Sequence, residues 1–268
     1  MKTALAMRLL SDLMDWDTAR VTEEFAWLRL MVSYKYDHYQ GFTSGSRFFE
    51  NLLHWLAQFE DRHQRQVAYD FVRKQMIYVS QREMHHLVSL SRPILERDMR
   101  RAVANGLGIP VYKTWNHSEA ARRLRLMSLR TLYVGLSDGA RIDFFRRDNE
   151  GLISNEQVVA APELSDPKWN SLGDELAKRL TGELKNEEPR FERICLIDDF
   201  TASGSTLIRQ KDDLKNWTGK VPRFCDQNVQ RVGSLIMSKC TIHVHHYLAS
   251  YHARERISEE IKGYAKTV

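Results

Sequence analysis

Two adjacent carboxylates, Asp198 and Asp199, stand directly before a loop of small residues that reaches from Thr201 to Thr206. Paired carboxylates repel each other and lose hydration together, so a protein that places both at one point usually supplies a ligand, a cation or hydrogen-bond donors. A loop of small residues can turn successive backbone N–H groups toward one anion. The spacing therefore predicts a phosphate site whose carboxylates serve a sugar or a metal. The alternative is that one aspartate only caps the following turn or helix.

The elements on either side of this pair must hold it in place. Ile194–Ile197 is a short apolar run of the kind that forms a strand buried on both faces of a parallel sheet. A helix is predicted after the loop, from the positions of Leu207, Ile208, Leu214 and Trp217. Strand, small-residue loop and helix N-terminus form an arrangement in which α/β proteins hold a phosphate beyond the carboxyl ends of their strands.

The stretch Arg193–Leu207 resembles the phosphoribosyl diphosphate (PRPP) motif of the type I phosphoribosyltransferases, which has four apolar residues, two acids and a Thr/Gly/Ser loop. The resemblance implies that Asp198 and Asp199 form the catalytic centre and address the ribose 2′- and 3′-hydroxyls. It also implies that the loop holds the 5′-phosphate and that Mg²⁺ binds through the substrate, without direct protein ligands. The implied loop residues are Thr201, Ala202, Ser203, Gly204, Ser205 and Thr206. Most members carry two adjacent glycines where this chain has Ser203-Gly204-Ser205, so this loop is stiffer.

A second turn, Ser137-Asp138-Gly139-Ala140-Arg141, follows the predicted strand Thr131–Leu136. In the phosphoribosyltransferases, a turn at the equivalent place grips the pyrophosphate through backbone amides and a basic side chain. The resemblance therefore implies substrate-binding roles for Ser137, Asp138, Gly139 and Arg141. The alternative is a β-hairpin, because Asp-Gly between two apolar runs is a strong hairpin signal.

A broader resemblance is to the phosphoribosyltransferase-like effectors of bacterial anti-phage conflict systems, including those found beside retron reverse transcriptases. The residues that carry it are Arg47-Phe48-Phe49, Trp55, Ser80, Glu83, Leu136-Ser137-Asp138-Gly139 and the Asp198-Asp199 loop. It implies a toxic enzyme, a ribosyl or phosphoribosyl transferase or nucleotide N-glycosidase, that acts on the N-glycosidic or C1′ bond of a nucleotide or PRPP. A reverse transcriptase with its RNA–DNA product is the implied restraining partner.

Two other functions are compatible with these residues. One is a non-catalytic regulator that senses PRPP or a nucleotide and binds nucleic acid or a partner protein. The other is a helical interaction protein that keeps a phosphate loop. The basic run Arg122-Arg123-Leu124-Arg125 suits either a nucleic-acid contact or a solvated helix face.

Composition indicates the class of protein and its cellular environment more clearly than it indicates its chemistry. The 268 residues have a formal net charge of +5, which alone is weak evidence for a nucleic-acid partner. Cys195, Cys225 and Cys240 show no CxxC spacing, and no apolar run is long enough for a bilayer. We therefore expect reduced thiols, a cytoplasmic protein and no membrane association.

Four histidines near the C-terminus invite a metal interpretation, and they are His243, His245, His246 and His252. No further ligand stands at a recognisable spacing, so we expect no metal bound directly by the protein. Solvated positions or the lining of a cleft are the simpler interpretation of these side chains.

The order of the elements predicts the fold class. Helical periodicity dominates up to the stop signal Asn105–Pro110, and Ser80 with Glu83 has the spacing of a helix capping box. Strand and helix patterns alternate afterwards. We predict an α/β protein with a Rossmann-like, mainly parallel sheet of the type I phosphoribosyltransferase kind in residues 121–268, and an all-helical N-terminal extension in residues 1–120.

Overall fold

The structure, a computed structural model, describes the residue ranges 3–39, 42–43, 45–183, 188–211 and 216–267. The chain forms two compact units, Met1–His85 and His86–Val268. The division falls inside the helix Gln81–Leu107. The helical segments between this point and the first strand of the sheet therefore belong to the sheet-containing unit. The domain boundary that we predict after residue 120 is a different division of the chain, and it stays a prediction.

The N-terminal unit is mainly helical. Its described elements are α1 (Thr3–Met14), α2 (Thr18–Met31), a π-helical turn (Val32–Tyr36), the antiparallel pair β1 (Asp37–Tyr39) and β2 (Phe42–Thr43), α3 (Gly45–Ala57) and α4 (Arg62–Lys74). Asp17 and Asp61 cap α2 and α4, each accepting a 2.8 Å hydrogen bond from a backbone amide three residues on. Leu10, Leu28 and Leu56 lie in its buried core. The predicted helical N-terminal part is confirmed, but the expectation that it is all-helical was wrong, because β1 and β2 pair within it.

The second unit contains the sheet. Its helices and strands are α5 (Gln81–Leu107, which begins in the first unit), a 3-10 helix (Val111–Trp115), α6 (Ser118–Leu129), β3 (Thr131–Gly135), α7 (Ile142–Asp148), β4 (Val158–Val159), α8 (Asp166–Glu183), β5 (Phe191–Thr201), β6 (Arg209–Gln210), β7 (Trp217–Thr218), α9 (Lys220–Asn228), β8 (Ile236–Ala249) and α10 (Tyr251–Tyr264). Short 3-10 turns lie between several of these elements.

Among the described residues, the main sheet has four strands in the order β4-β3-β5-β8, and every neighbouring pair is parallel. After β3 the chain moves to β4 at one edge, and it then returns across β3 to form β5 on the other side. The direction of winding therefore reverses between β3 and β5. Ligands of open α/β sheets bind outside the carboxyl ends of the strands at such a topological switch point.

Helices cover both faces of this sheet. Leu172 and Leu176 of α8 and Phe224 of α9 share one buried cluster with apolar side chains of β3 and β5. On the other face, the ring of Phe145 in α7 lies 5.1 Å from the ring of Tyr133. The predicted strand Ile194–Ile197 is almost completely buried, as expected for a central strand of a parallel sheet. The α/β class and the mainly parallel sheet are thus confirmed.

The long helix α5 begins and ends where the sequence predicts. The Glu83 carboxylate accepts a 2.8 Å hydrogen bond from the Ser80 amide, and the Ser80 hydroxyl accepts one from the Glu83 amide at 3.3 Å. This reciprocal pair is the predicted capping box. Gly108, with φ of 65°, follows the last helical residue. Pro93 lies inside the helix, which continues beyond it to Leu107.

The helix predicted directly after the Thr201–Thr206 loop is absent from the described residues. The antiparallel pair β6 and β7 stands there, and Leu214 lies outside the described residues. Trp217 belongs to β7, and its ring lies 5.7 Å from the ring of Tyr264 in α10. A contact with a residue so distant in sequence outweighs local helix periodicity. The next helix, α9, begins only at Lys220.

Candidate functional site

The two sequence motifs meet at the carboxyl ends of β3 and β5. The Ser137 hydroxyl donates a hydrogen bond to the Asp198 carboxylate. Gly139 approaches Asp199 so closely that a Cβ added to it would lie 2.8 Å from Asp199 Cγ. A glycine is needed here because any side chain would displace that carboxylate. The turn after β3 and the acids after β5 therefore form one site at the topological switch point.

Asp198 is buried, and its charge is balanced by a residue that sequence reasoning missed. Lys220 Nζ, at the start of α9, lies 2.5 Å from Asp198 Oδ2. The Ser137 hydrogen bond occupies the other carboxylate oxygen. Together the two partners offset the cost of taking the carboxylate out of water. Pro222 in the first turn of α9 is the signal that could have revealed a helix beginning at Lys220.

His246 is a second residue that sequence reasoning did not place in the site. It is the register partner of Asp198 on the neighbouring strand β8. Burial lowers the pKa of His246, while the Asp198 carboxylate acts in the opposite direction. Strand alternation places His246 on the sheet face opposite His243 and His245. This alternation along the predicted strand is the signal that could have separated His246 from the other two histidines.

Asp199 is less buried than Asp198 and is positioned by the backbone. Its Oδ1 accepts a 2.7 Å hydrogen bond from the Phe200 amide. The Asp199 amide in turn donates to Asp198 Oδ1 at 3.2 Å. These bonds leave Asp199 Oδ2 beside Gly139. The two neighbouring acids thus differ, since one is ion-paired and the other is held only by a peptide amide among the described residues.

The loop after β5 uses part of its hydrogen-bonding capacity on itself. The Gly204 amide donates to Thr201 Oγ1 at 3.1 Å, and the Ser205 amide donates to Ser203 Oγ at 3.4 Å. Gly204 has φ of 76°, a conformation that favours glycine. Its position is crowded too, because an added Cβ would lie 2.7 Å from Ile257 Cγ1.

Other amides of the same loop remain available. Within the described ranges, no hydrogen-bond partner is found for the backbone N–H groups of Ala202, Ser203 and Thr206. The carbonyls of Thr206 and Leu207 accept hydrogen bonds from the Lys220 and Val221 amides, at 3.1 and 3.0 Å. The start of α9 is thereby attached to the end of the loop, although a hairpin separates them in sequence. The loop can supply N–H donors to an anion.

A cavity of about 270 Å³ opens between these groups. Its lining residues are Asp198, Asp199, Phe200, Thr201, Ala202, Ser203, Thr206, Leu207, Lys220 and His246. It therefore combines both acids, four of the six predicted loop residues, one lysine and one histidine. The remaining loop residues, Gly204 and Ser205, shape the loop without lining the cavity.

The turn after β3 is not a β-hairpin, and its predicted substrate-binding role stays a prediction. Asp138–Ala140 forms a short 3-10 turn and helix α7 follows it, so the alternative of a β-hairpin was wrong. Asp138 is exposed, and neither it nor Arg141 lines the cavity. Arg141 has a left-handed backbone, with φ of 47° and ψ of 36°, and precedes α7. Ser137 and Gly139 reach the acids, whereas the other two predicted residues do not.

The four histidines near the C-terminus lie on both faces of β8 and on α10. The rings of His243 and His245 stack with their centroids 6.2 Å apart, and His252 is exposed on α10. Over the described part of the chain, no three His, Cys, Asp or Glu side chains come together in a way that suits a metal ion. Burial, reinforced by the neighbouring His243 and His246, lowers the pKa of His245 to about 4.

Comparisons of the chain with protein-family models, with curated proteins and with solved structures find no match. Any functional conclusion therefore depends on the geometry of the site and on the motif resemblance. A search of the described helices finds none whose length and apolar content would let it cross a membrane.

Proposed function

We propose that this chain is a phosphoribosyltransferase-like enzyme that binds a phosphorylated ribose at the carboxyl ends of β3 and β5. One observation carries the proposal. The strand order reverses between β3 and β5, and the paired acids and the amide-bearing loop surround a cavity at that point. A cavity of about 270 Å³ is close to the lower end of the range for ligand pockets, about 300 to 1,000 Å³.

Each part of the cavity has a role that suits its chemistry. The free amides of Ala202, Ser203 and Thr206 are donors for the three oxygens of a 5′-phosphate. The ammonium of Lys220 adds a positive charge at the same cavity. The carboxylates of Asp198 and Asp199 are acceptors for the 2′- and 3′-hydroxyls. The site would thus hold the sugar at both ends and leave C1′ as the reacting atom.

The proposed reaction makes or breaks the N-glycosidic or C1′ bond of a nucleotide or PRPP. Positive charge develops at C1′ as the leaving group departs, so carboxylates held near the ribose stabilise the transition state more than the ground state. Where the leaving group is pyrophosphate, substrate-bound Mg²⁺ supplies neutralising charge. The backbone at Gly139 lies beside Asp199, and in this proposal it contacts the leaving group.

The biological setting in this proposal comes from the sequence resemblance. We propose a toxic effector of an anti-phage retron system that acts in the cytoplasm on nucleotides. Such an enzyme needs restraint, and a reverse transcriptase with its RNA–DNA product is the proposed partner. Co-expression with that partner is expected to suppress toxicity that depends on Asp198 and Asp199.

The enzymatic proposal is tested with the purified full chain. We expect turnover when it is incubated with nucleotides, NAD or PRPP in the presence of Mg²⁺, followed by chromatography of the products. The double variant Asp198→Asn, Asp199→Asn should lose turnover, while Asp226→Asn, an exposed acid on α9, should keep it. Unchanged substrates, together with toxicity that survives the double variant, would contradict an enzyme.

A specific observation favours a second candidate, a regulator that binds PRPP or a nucleotide without turning it over. Asp198 is already engaged by Lys220, and Ser203 Oγ lies 2.8 Å from Ser205 Oγ within the loop. These side chains already have partners within the protein. A sensor could replace those internal contacts by contacts to a ligand without any chemical step. Calorimetric binding of PRPP without turnover would select the regulator over the enzyme.

A further inference from the structure

An exposed pair of aromatic rings stands on the 3-10 helix Val111–Trp115, away from the acids and the loop in sequence. Tyr112 and Trp115 are each 71% exposed, while Thr114 between them is 1% exposed. The short helix therefore turns one side inward and presents two large rings to solvent. Large exposed rings grouped in this way mark interaction surfaces.

The spacing of these rings follows from the geometry of the 3-10 helix. Side chains three residues apart eclipse each other, and each residue rises by about 2.0 Å. Tyr112 and Trp115 are three residues apart, so their attachment points are separated by about 6 Å along one side of the helix. Successive stacked bases of one strand are about 3.4 Å apart, so a base inserted between two rings needs about 7 Å. The two rings can therefore stack on bases of one strand.

Arg100 holds the ring of Trp115 in place. The Arg100 guanidinium carbon lies 3.5 Å from the centre of the Trp115 ring, and Arg100 Nη1 donates to Thr114 Oγ1 at 3.2 Å. Arg100 itself is held by Glu96 at 2.7 Å. This arrangement occupies one face of the indole and orders it in advance, so less side-chain freedom is lost when a ligand stacks on the other face.

Positive charge surrounds the rings. Residues 92–125 contain eight basic and three acidic side chains, an excess of five that equals the net charge of the whole chain. Lys113 lies between the two aromatic residues in sequence, and Arg97 lies one helical turn from Arg100. Both are exposed. Neither makes an ion pair with another described residue. The surface is thus complementary to a polyanion.

We propose that Tyr112, Trp115, Lys113, Arg97 and Arg100 form a binding surface for single-stranded nucleic acid. Aromatic rings that stack bases beside a cationic track for the backbone are how proteins bind single strands without sequence preference. An anionic membrane is less well matched, because membrane binding needs a broad apolar face and this five-residue helix exposes two rings and a charged lysine. The surface is independent of the proposed phosphoribose site.

The test measures fluorescence anisotropy of a labelled twelve-nucleotide oligo-dT titrated with the full chain. We expect binding whose affinity falls with salt, with a log–log slope of about −0.7 for each phosphate contacted. Tyr112→Ala and Trp115→Ala should each weaken it by roughly five- to a hundredfold, whereas Trp115→Phe should restore most of it. Lys113→Gln should lower the slope by about 0.7.

The matched control is Tyr251→Ala, which removes an equally exposed ring (72%) from α10 and should leave the affinity unchanged. Circular dichroism checks that every variant keeps its fold. Absence of oligo-dT binding, or binding that the Tyr112→Ala, Trp115→Ala double variant retains, overturns the proposal. Equal affinity for a duplex of the same length overturns the stacking role. Binding to phosphatidylserine vesicles in place of oligo-dT identifies the surface as a membrane contact and also overturns it.

Discussion

The loop after β5 and the turn after β3 meet at the same edge of the sheet, but they are built differently. The β5 loop turns through Gly204 in a left-handed conformation and leaves three amides available. The β3 turn passes directly into α7 and contributes one hydroxyl, from Ser137, and one close approach, at Gly139. The difference indicates that the β5 loop can bind an anion, whereas the β3 turn positions the acids. The predictions below test this division of roles, beginning with the largest expected effect.

Removing the buried carboxylate should have the largest effect on stability. Asp198→Ala leaves the Lys220 ammonium and the Ser137 hydroxyl without their partner, and breaking a buried pair in this way costs about 3 kcal/mol. Urea unfolding monitored by circular dichroism measures the loss. Asp226→Ala, which removes an exposed acid from α9, should change the free energy of unfolding by less than about 0.5 kcal/mol. Equal urea midpoints for Asp198→Ala and Asp226→Ala would show that the contacts of Asp198 with Lys220 and Ser137 do not stabilise the fold.

Burial of His245 on β8, away from the cavity, should make the stability of the folded chain depend on pH. Because burial lowers the pKa of His245 to about 4, the folded chain keeps this imidazole neutral. Its contribution to stability is complete above the unfolded pKa of about 6.5 and is lost as pH falls toward 4. Between pH 7 and pH 4.5 we expect His245 to contribute a loss of about 2 to 3 kcal/mol, which His245→Asn removes from the total.

The control for this prediction is His252→Asn, which removes an exposed histidine and should leave the pH dependence of unfolding as it is in the unaltered chain. Urea titrations at the two pH values provide the comparison. If His245→Asn lost as much stability as the unaltered chain between these pH values, the titrating group would lie elsewhere.

Alanine at the two glycines should separate binding from stability. Gly204→Ala forces a left-handed residue against Ile257, so we expect a loss of about 1 to 2 kcal/mol in unfolding free energy. Gly139→Ala meets only the end of the Asp199 side chain, which can rotate away. It should therefore cost less stability, yet weaken ribose 5-phosphate binding about tenfold or more by moving the carboxylate.

Gly106→Ala serves as the control, because a Cβ there makes only an ordinary contact, 3.7 Å from Arg123 Nη1. It should leave ligand binding unchanged and, as a helical position of α5, should not destabilise the chain. The same loss of binding in Gly139→Ala and Gly106→Ala would remove the role given to the β3 turn.

Removal of a single hydroxyl should cost no more stability than the substitution at Gly204. Ser137→Ala removes a donor to a buried carboxylate and should cost about 1 to 2 kcal/mol. Thr201→Val removes the acceptor of the Gly204 amide in a half-buried loop, and should cost about 0.5 kcal/mol. Thermal unfolding of the two variants compares them. A larger loss for Thr201→Val would reverse the order of importance that the structure indicates.

The sequence predicts the parts of this molecule that depend on local patterns. The apolar run Ile194–Ile197 indicated a buried strand because four consecutive apolar residues suit a strand covered on both sides. The capping box at Ser80 and the stop at Gly108 were predictable because helix ends have their own residue preferences. Each of these signals lies within a few residues of the feature that it predicts.

The parts that the sequence did not predict depend on distant contacts. Lys220 approaches Asp198 only because the β6–β7 hairpin brings the chain back to the end of the loop. Trp217 has the spacing of a helical residue, but its ring contacts Tyr264 of α10. Tertiary contacts of this kind override local propensity, so the acids and loop were predictable and their ion-pair partner was not.

The most direct test of the central claim is a crystal structure of the chain with PRPP bound. The account predicts the 5′-phosphate within hydrogen-bond distance of the Ala202, Ser203 and Thr206 amides, with the ribose hydroxyls on Asp198 and Asp199. PRPP bound elsewhere, or a loop whose amides remain turned away from the phosphate, would contradict it.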